Sequence, residues 1–366
     1  MSFTREDVLS ALKQVIHPEH EKDIVDLGMV QDLSVEGKKV SFSLVLNKSN
    51  DPFVNSIRNA SINAIKTNLG EDAEVIGNIE VKGSSPLIQK GPLAEVKNII
   101  AVASGKGGVG KSTVAANLAV ALVSKGYKVG LIDADVYGPS IPKMFAVEDE
   151  RPVLEKIEGK DRIIPVEKYG VKILSIGFFV DQNDALVWRG PMATSALKQL
   201  INDGNWGSLD YLLIDLPPGT GDIHLTMVQT ISVTGAVIVS TPQAVALADA
   251  VKGISMFSGK HVNVPVLGLV ENMAWFTPEE LPDNKYYIFG KDGCKQLAEK
   301  NGLPLLGQIP LVQSIREGGD EGSPVALNMD SIIGKAFGEL AQAVVVGVEE
   351  RNKNMAPTEI VQIKTK

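Results

Sequence analysis

The chain of 366 residues has a single cysteine, Cys294. That excludes an internal disulfide and fits a reducing compartment. Histidine is also scarce, with four residues at 17, 20, 224 and 261. Only His17 and His20 are close enough in sequence to pair on a metal. They flank Pro18 in a polar stretch and read as a solvated turn. No run approaches the roughly 18 apolar residues of a membrane span. The N-terminus, MSFTREDVLSALKQVI, lacks the continuous apolar segment of a signal peptide. A cytoplasmic protein without a membrane partner is expected. Positive charge is not in excess either. The 36 Lys/Arg and 44 Asp/Glu give a net charge of −8. Residues 1–88 hold nine Lys/Arg and 13 Asp/Glu, so they carry half of that excess and neither part is basic. A nucleic-acid partner held through its phosphates is therefore disfavoured.

What is present suggests a globular chain of more than one domain, with 44% hydrophobic residues and a mean hydropathy near zero. Residues 1–82 read as a small α+β domain. Helical spacing over 4–16 has Thr4 as a candidate N-cap, and a second helix is predicted over 52–69. Strands are predicted at 38–46 and 74–82. Residues 83–97, rich in Gly, Ser and Pro, read as a linker. From 98 to 349 short apolar runs alternate with helical segments. Strands are predicted at 98–104, 128–133, 171–176, 210–215, 235–240, 266–271 and 305–309. Helices are predicted at 111–126, 192–202, 223–233, 246–257, 291–300 and 330–349. Near-continuous apolar strands between helices indicate an α/β fold, with a mostly parallel sheet covered on both faces. Residues 350–366 read as a polar, frayed tail.

The first of these strand–helix units contains GKGGVGKST, from Gly105 to Thr113. A GxxxxGK[ST] loop between a buried-type strand and a helix is a phosphate-binding loop. The backbone of Gly105, Lys106, Gly107, Gly108, Val109 and Gly110 can ring phosphate oxygens, with the N-terminus of the next helix behind it. Lys111 is expected to neutralise β/γ-phosphate oxygens, Ser112 to ligate Mg²⁺, and Thr113 to complete the loop. Asp133 and Asp135 flank Ala134 at the carboxyl end of the 128–133 run, where open α/β sheets place their ligands. One can hold Mg²⁺ through water and the other can position the attacking water; spacing does not separate them. Asp215 ends the run YLLI and is expected beside the metal. Gly219, in PPGTG, is placed to sense the γ-phosphate. Asn272, at a further strand end, is the candidate for adenine's edge, with Gln243 and the backbone near Gln308, Ile309 and Pro310 as secondary candidates. No NKxD-type guanine signal occurs, which favours ATP.

Lys106 is a second lysine in a loop that needs one. At the start of the loop it is poorly placed for its own γ-phosphate, and reaching a partner subunit's nucleotide would give it a use. GKGGVGKST resembles the deviant Walker A loop of the dimeric MinD/ParA/nitrogenase-iron-protein ATPases, in which the early lysine contacts the partner's nucleotide. WGSLDYLLIDLPPGTGD (206–222), DADVYGPSIP (133–142), WRGPM (188–192) and ENMAWF (271–276) resemble the Mrp/ApbC family of iron–sulfur cluster carrier ATPases. Residues 1–82, with HPEHEKDIVDLGMV (17–30), resemble the assembly-associated domain fused ahead of many of them. The resemblance implies an ATP-dependent homodimer that passes a [4Fe–4S] cluster to apo-protein clients. It also implies a Cys-x-x-Cys after ENM, but the chain reads FTPEELPDNK there (276–285), and NKSNDPF (47–53) has no cysteine either. Glu279, Glu280 and Asp283 are hard ligands ill suited to a sulfide-rich cluster. Cys294 is expected to be buried and structural. The alternative is a nucleotide-switched adaptor that carries no cluster; a positioning ATPase or a metabolic kinase finds less support.

Overall fold

The computed structural model describes all residues except 1–2, 19–21, 47–52, 71, 76–78, 84–92, 137, 158, 180–189, 261, 279, 282–283, 359 and 362–366. Much of the predicted linker, most of 47–53, His20, His261, Trp188, Glu279 and Asp283 therefore lie outside the described residues. The chain divides into two compact units, Met1–Lys90 and Gly91–Lys366.

In the first unit α1 (Arg5–Leu12) begins with a capping box. The Asp7 amide donates to Thr4 Oγ1 and the Thr4 amide to Asp7 Oδ2, which satisfies two donors the helix leaves open. Strands β1 (Val30–Glu36) and β2 (Lys39–Leu46) pair antiparallel. Helix α2 (Val54–Leu69) then crosses to β3 (Ile79–Gly83), which lies parallel to β2. Strand β1 was not expected from the pattern. It is irregular, with a register shift between Gln31 and Ser34 and Asp32 at φ 52°. The predicted 74–82 strand contributes only a bridge at Glu74 and the later β3. His17 is also a correction. It is 1% exposed, with its ring edge-on to Phe53, because the turn folds over the unit's own core rather than into water.

The second unit runs through β4 (Val96–Ala103), α3 (Lys111–Ser124), β5 (Val129–Asp133), α4 (Ile141–Met144), the hairpin β6 (Val153–Ile157) and β7 (Lys160–Ile164), β8 (Val166–Lys168) and β9 (Val171–Ser175). It continues through α5 (Gly190–Asn202), β10 (Leu209–Asp215), α6 (Asp222–Thr230), β11 (Gly235–Ser240), α7 (Ala244–Ser258), β12 (Val266–Phe276), α8 (Gly293–Asn301), β13 (Leu305–Leu311), α9 (Gln313–Asp320) and α10 (Ile332–Asn354). Eight strands form one sheet in the order β13-β12-β11-β4-β10-β5-β9-β8. All pairings are parallel except β8 with β9. The strand period of two divides β4 between two cores. Ile100 and Val102 join the core under α3 and α10, whereas Ile99, Ala101 and Ala103 join the core under α5 to α8. Helix α3 (KSTVAANLAVALVS) is alanine-rich and buried over most of its surface, so it lies close to the sheet.

Helix α10 runs past the predicted end at 349. The buried Arg351 explains this. It donates to Ala356 O at 2.7 Å and Thr358 Oγ1 at 2.8 Å, and the Val361 amide donates to Val228 O at 2.9 Å. The described part of the tail is thus tied to α6 rather than frayed.

Candidate nucleotide site

Parallel pairing brings the carboxyl ends of β4, β5, β10 and β12 to one edge of the sheet. Asp215 is in register with Val102 on one side and Asp133 on the other. The glycine-rich loop leaves β4 beside them and turns into α3. At its end Gly110 has φ 77°, a left-handed conformation that glycine adopts without a Cβ clash. Among the described residues no side chain caps α3, so its first N–H groups are open to an anion.

Lys111 is the centre of the site. It is 6% exposed, and its Nζ lies 2.7 Å from Asp215 Oδ1, 3.2 Å from Ser112 Oγ and 3.9 Å from Asp135 Oδ2. Asp215 is fully buried. Burial pushes its pKa up, and Lys111 and Ser112 hold it down. Its second oxygen, Oδ2, is buried and has no hydrogen-bond partner among the described residues. A buried carboxylate oxygen left without a donor fits a place for a cation or its water.

The two aspartates left unseparated in the sequence have different surroundings. Asp133 is fully buried. Its Oδ2 accepts from Ser175 Oγ (2.9 Å) and the Ile141 amide (3.2 Å), and its Oδ1 from the Asp135 amide (3.2 Å). Burial and the adjacent Asp215 push its pKa up to about 7. Asp133 therefore fixes the turn after β5. Asp135 is partly exposed and faces Lys111. Ser175 was not singled out in the sequence; its signal is its place at the end of the VKILS strand.

The PPGTG loop lies against the phosphate loop. The Gly219 amide donates to Ser104 O at 2.9 Å, and a Cβ on Gly107 would lie 3.8 Å from Pro218 Cγ. Lys106 is exposed and, among the described residues, forms no ion pair, while its carbonyl accepts from Ser104 Oγ. Asn272 is 6% exposed and sits beneath the loop, with Nδ2 donating to Val109 O at 2.8 Å. The expected contact with adenine would have to be made beside that bond or in place of it. Gln308 donates instead to Glu271 Oε1 (2.7 Å) and Asp292 Oδ1 (3.1 Å), Ile309 is buried in the core, and Gln243 precedes α7.

Cys294 is fully buried at the start of α8, as expected. Its amide donates to Glu271 Oε2, and burial together with that carboxylate pushes the thiol up to about 12. A thiol so held is a poor metal ligand, since ligation needs the thiolate. Among the described residues no group of three or more His, Cys, Asp or Glu could hold a metal ion. The described residues do not fit an iron–sulfur cluster. No described helix is long and apolar enough to cross a membrane.

A phosphate loop on a parallel sheet, with carboxylates at the neighbouring strand ends, defines a nucleotide-binding P-loop NTPase of the MinD/ParA type. The chain belongs to the family of NUBPL iron-transfer P-loop NTPases (ParA), whose model matches residues 95–345; residues 5–76 match the iron–sulfur cluster assembly protein family. An iron–sulfur cluster carrier protein of Synechocystis is 43% identical over 344 residues, covering 93% of this chain and 97% of that one. The Dictyostelium discoideum iron–sulfur cluster transfer protein NUBPL is 45% identical, over 77% of this chain and 89% of that one. Among solved structures, a nucleotide-binding protein from Archaeoglobus fulgidus in complex with ADP matches with a TM-score of 0.55 and 39% identity, over 63% of this chain and 88% of that one. The Pyrococcus furiosus cell division ATPase MinD matches at 0.51 and 27% identity, over 69% and 99%.

Proposed function

We propose that this chain is an ATP-hydrolysing homodimer that works in the transfer of iron–sulfur clusters to apo-protein clients. The observation that carries the nucleotide chemistry is the buried Lys111–Asp215 pair beneath an uncapped helix N-terminus. Without nucleotide, Asp215 neutralises the lysine. An arriving triphosphate offers Lys111 more negative charge, and backbone N–H groups of the loop and of Ser112 and Thr113 receive its oxygens. Ser112 Oγ and the unpartnered Asp215 Oδ2 are the groups suited to Mg²⁺, which when bound neutralises charge on the phosphate oxygens. Asp135 accepts a hydrogen bond from the attacking water and orients it toward the γ-phosphorus. As the new P–O bond forms, the bond to the β-phosphate oxygen breaks and ADP and phosphate leave. Gly219 N–H exchanges Ser104 O for the γ-phosphate and returns when phosphate leaves, so the PPGTG loop reports the nucleotide state.

A second reading has support from the burial of Cys294, namely a nucleotide-switched assembly factor that carries no cluster itself. Anaerobic reconstitution with iron and sulfide, with ATP turnover measured in the same preparations, separates the two. Retained iron and sulfide with a visible cluster spectrum supports a carrier with unusual ligation, and loss of that spectrum in Cys294→Ser would identify the thiol as a ligand. No retained iron with ATP turnover intact favours the adaptor. Lys111→Ala is expected to lose at least 100-fold in ATP affinity, and unchanged affinity would sink the site assignment.

A further inference from the structure

The end of β12 touches the phosphate loop in a way that nucleotide chemistry alone does not require. Strand β12 pairs in steady register with β13 from Val270 to Asn272, which lies opposite Ile309. Met273 then adopts φ 54°, left-handed for a residue that is not glycine, and the register shifts before Phe276. A bulky side chain held there marks a backbone fixed by its surroundings. The bulge interrupts the ladder after Asn272, and pairing resumes at Phe276 opposite Leu311. The Asn272 side chain reaches under the loop. Its Nδ2 donates to Val109 O at 2.8 Å, and both residues are almost fully buried. The fit is close enough that a Cβ on Gly110 would lie 2.3 Å from Asn272 Nδ2 and 3.6 Å from Met273 Cε.

Val109 sits between Gly108 and Gly110, both at positive φ. A loop that binds phosphate must present N–H groups to the anion and keep its carbonyls off it. A buried carbonyl also needs a donor of its own. We propose that Asn272 is a positioning residue for the phosphate loop. Its amide holds the Val109 carbonyl on the β12 side, so the N–H groups of residues 108–111 stay directed at the phosphates before any nucleotide arrives. The inference rests on the nucleotide-site reading above and assigns Asn272 to the phosphates rather than to the base alone.

The test compares ATP with inorganic tripolyphosphate, which has no base, both with Mg²⁺, by calorimetry. Asn272→Ala removes the donor without adding charge, and Asn272→Asp keeps the shape while losing the donor. Melting curves confirm that both fold. Asn272→Ala is expected to weaken both ligands by the same factor, about tenfold. Amide hydrogen exchange at residues 107–111 of the nucleotide-free variant should be about tenfold faster. Weaker ATP with unchanged tripolyphosphate would overturn the proposal and return Asn272 to base recognition. Unchanged exchange in the loop would also overturn it. If the parent protein binds neither ligand, the nucleotide-site reading fails, and the exchange experiment still decides whether Asn272 orders the loop.

Discussion

His224 shows most clearly what burial costs in this molecule. It lies in the first turn of α6, 1% exposed, with its ring 6.4 Å from that of Phe257. Both ring nitrogens are buried without a hydrogen-bond partner among the described residues. Burial, reinforced by Lys111, pushes its pKa down to about 4. A polar group buried in this way costs about 1–3 kcal/mol, while the aromatic contact returns about 0.5–1.5 kcal/mol. His224→Leu is therefore expected to stabilise the fold at pH 7, by about 1 kcal/mol. The pH dependence has a definite sign. A histidine with a depressed folded pKa contributes its full stability above its unfolded value of 6.5, and that contribution is lost as pH falls toward about 4. At pH 5 the unfolded chain is protonated and the folded one is not, a difference on the order of 2 kcal/mol. The stabilisation by His224→Leu should accordingly be larger at pH 5 than at pH 7. Urea midpoints at the two pH values measure it, and an equal gain at both would show that the ring is protonated or solvated in the folded state.

Between elements, contact distance sets what the phosphate loop tolerates. Helix α7 crosses the start of the loop so closely that a Cβ on Gly105 would lie 2.1 Å from the carbonyl carbon and oxygen of Asp249 and 2.6 Å from the Ala250 nitrogen. These are backbone atoms, and α7 packs on β11 and β12 behind them, so it cannot yield locally. Among the described residues a Cβ on Gly107 would meet only Pro218, at 3.8 Å. Gly105→Ala should cost about 1–3 kcal/mol or more by overpacking, whereas Gly107→Ala should leave the melting temperature nearly unchanged. Equal melting shifts would mean that α7 does not rest on Gly105. The glycines were legible as a motif, but which of them carries a packing constraint depends on a helix more than 140 residues further along, so spacing could not show it. The central strands were legible for the opposite reason. Strands such as YLLID and GAVIVS are buried on both faces and read as unbroken apolar runs. The hairpin β6–β7 escaped notice because it lies outside the main sheet, exposes Val153 and Leu154, and carries charge on both strands. Helix α9 contains a Gly-Gly pair, and β8 is three residues long, so neither has a period to read. The roles of Asp133 and Asp135 were hidden because they depend on Ser175, which the pairing of β5 with β9 sets beside Asp133, on the turn that folds the Ile141 amide back onto Asp133, and on Lys111 facing Asp135.

At the scale of the whole molecule, one strong charge in the loop has no described counter-charge. Lys111 is buried against Asp215, whereas Lys106, five residues earlier, is exposed and forms no ion pair among the described residues. In a chain of net charge −8, an exposed lysine beside a nucleotide site is a strong local attraction for an anion. A homodimer that places Lys106 against the partner's nucleotide would use it as a trans-acting cation, a role that can contribute 10³–10⁵ in turnover. Lys106→Ala should keep ATP affinity within about threefold while losing ATP-dependent dimerisation and roughly 10³-fold in hydrolysis. Mixing two inactive variants separates the trans arrangement from a local one. In a mixed dimer of Lys106→Ala and Lys111→Ala, the first subunit keeps an intact Lys111 and receives Lys106 from the second. One of the two composite sites is then complete, and turnover should recover to at most half the parent rate per dimer. If Lys106 acts within its own subunit, each chain still lacks one lysine and mixing recovers nothing. Titrating one variant with the other under steady-state ATP turnover distinguishes the cases, since only the trans geometry makes the rate rise with the fraction of mixed dimers.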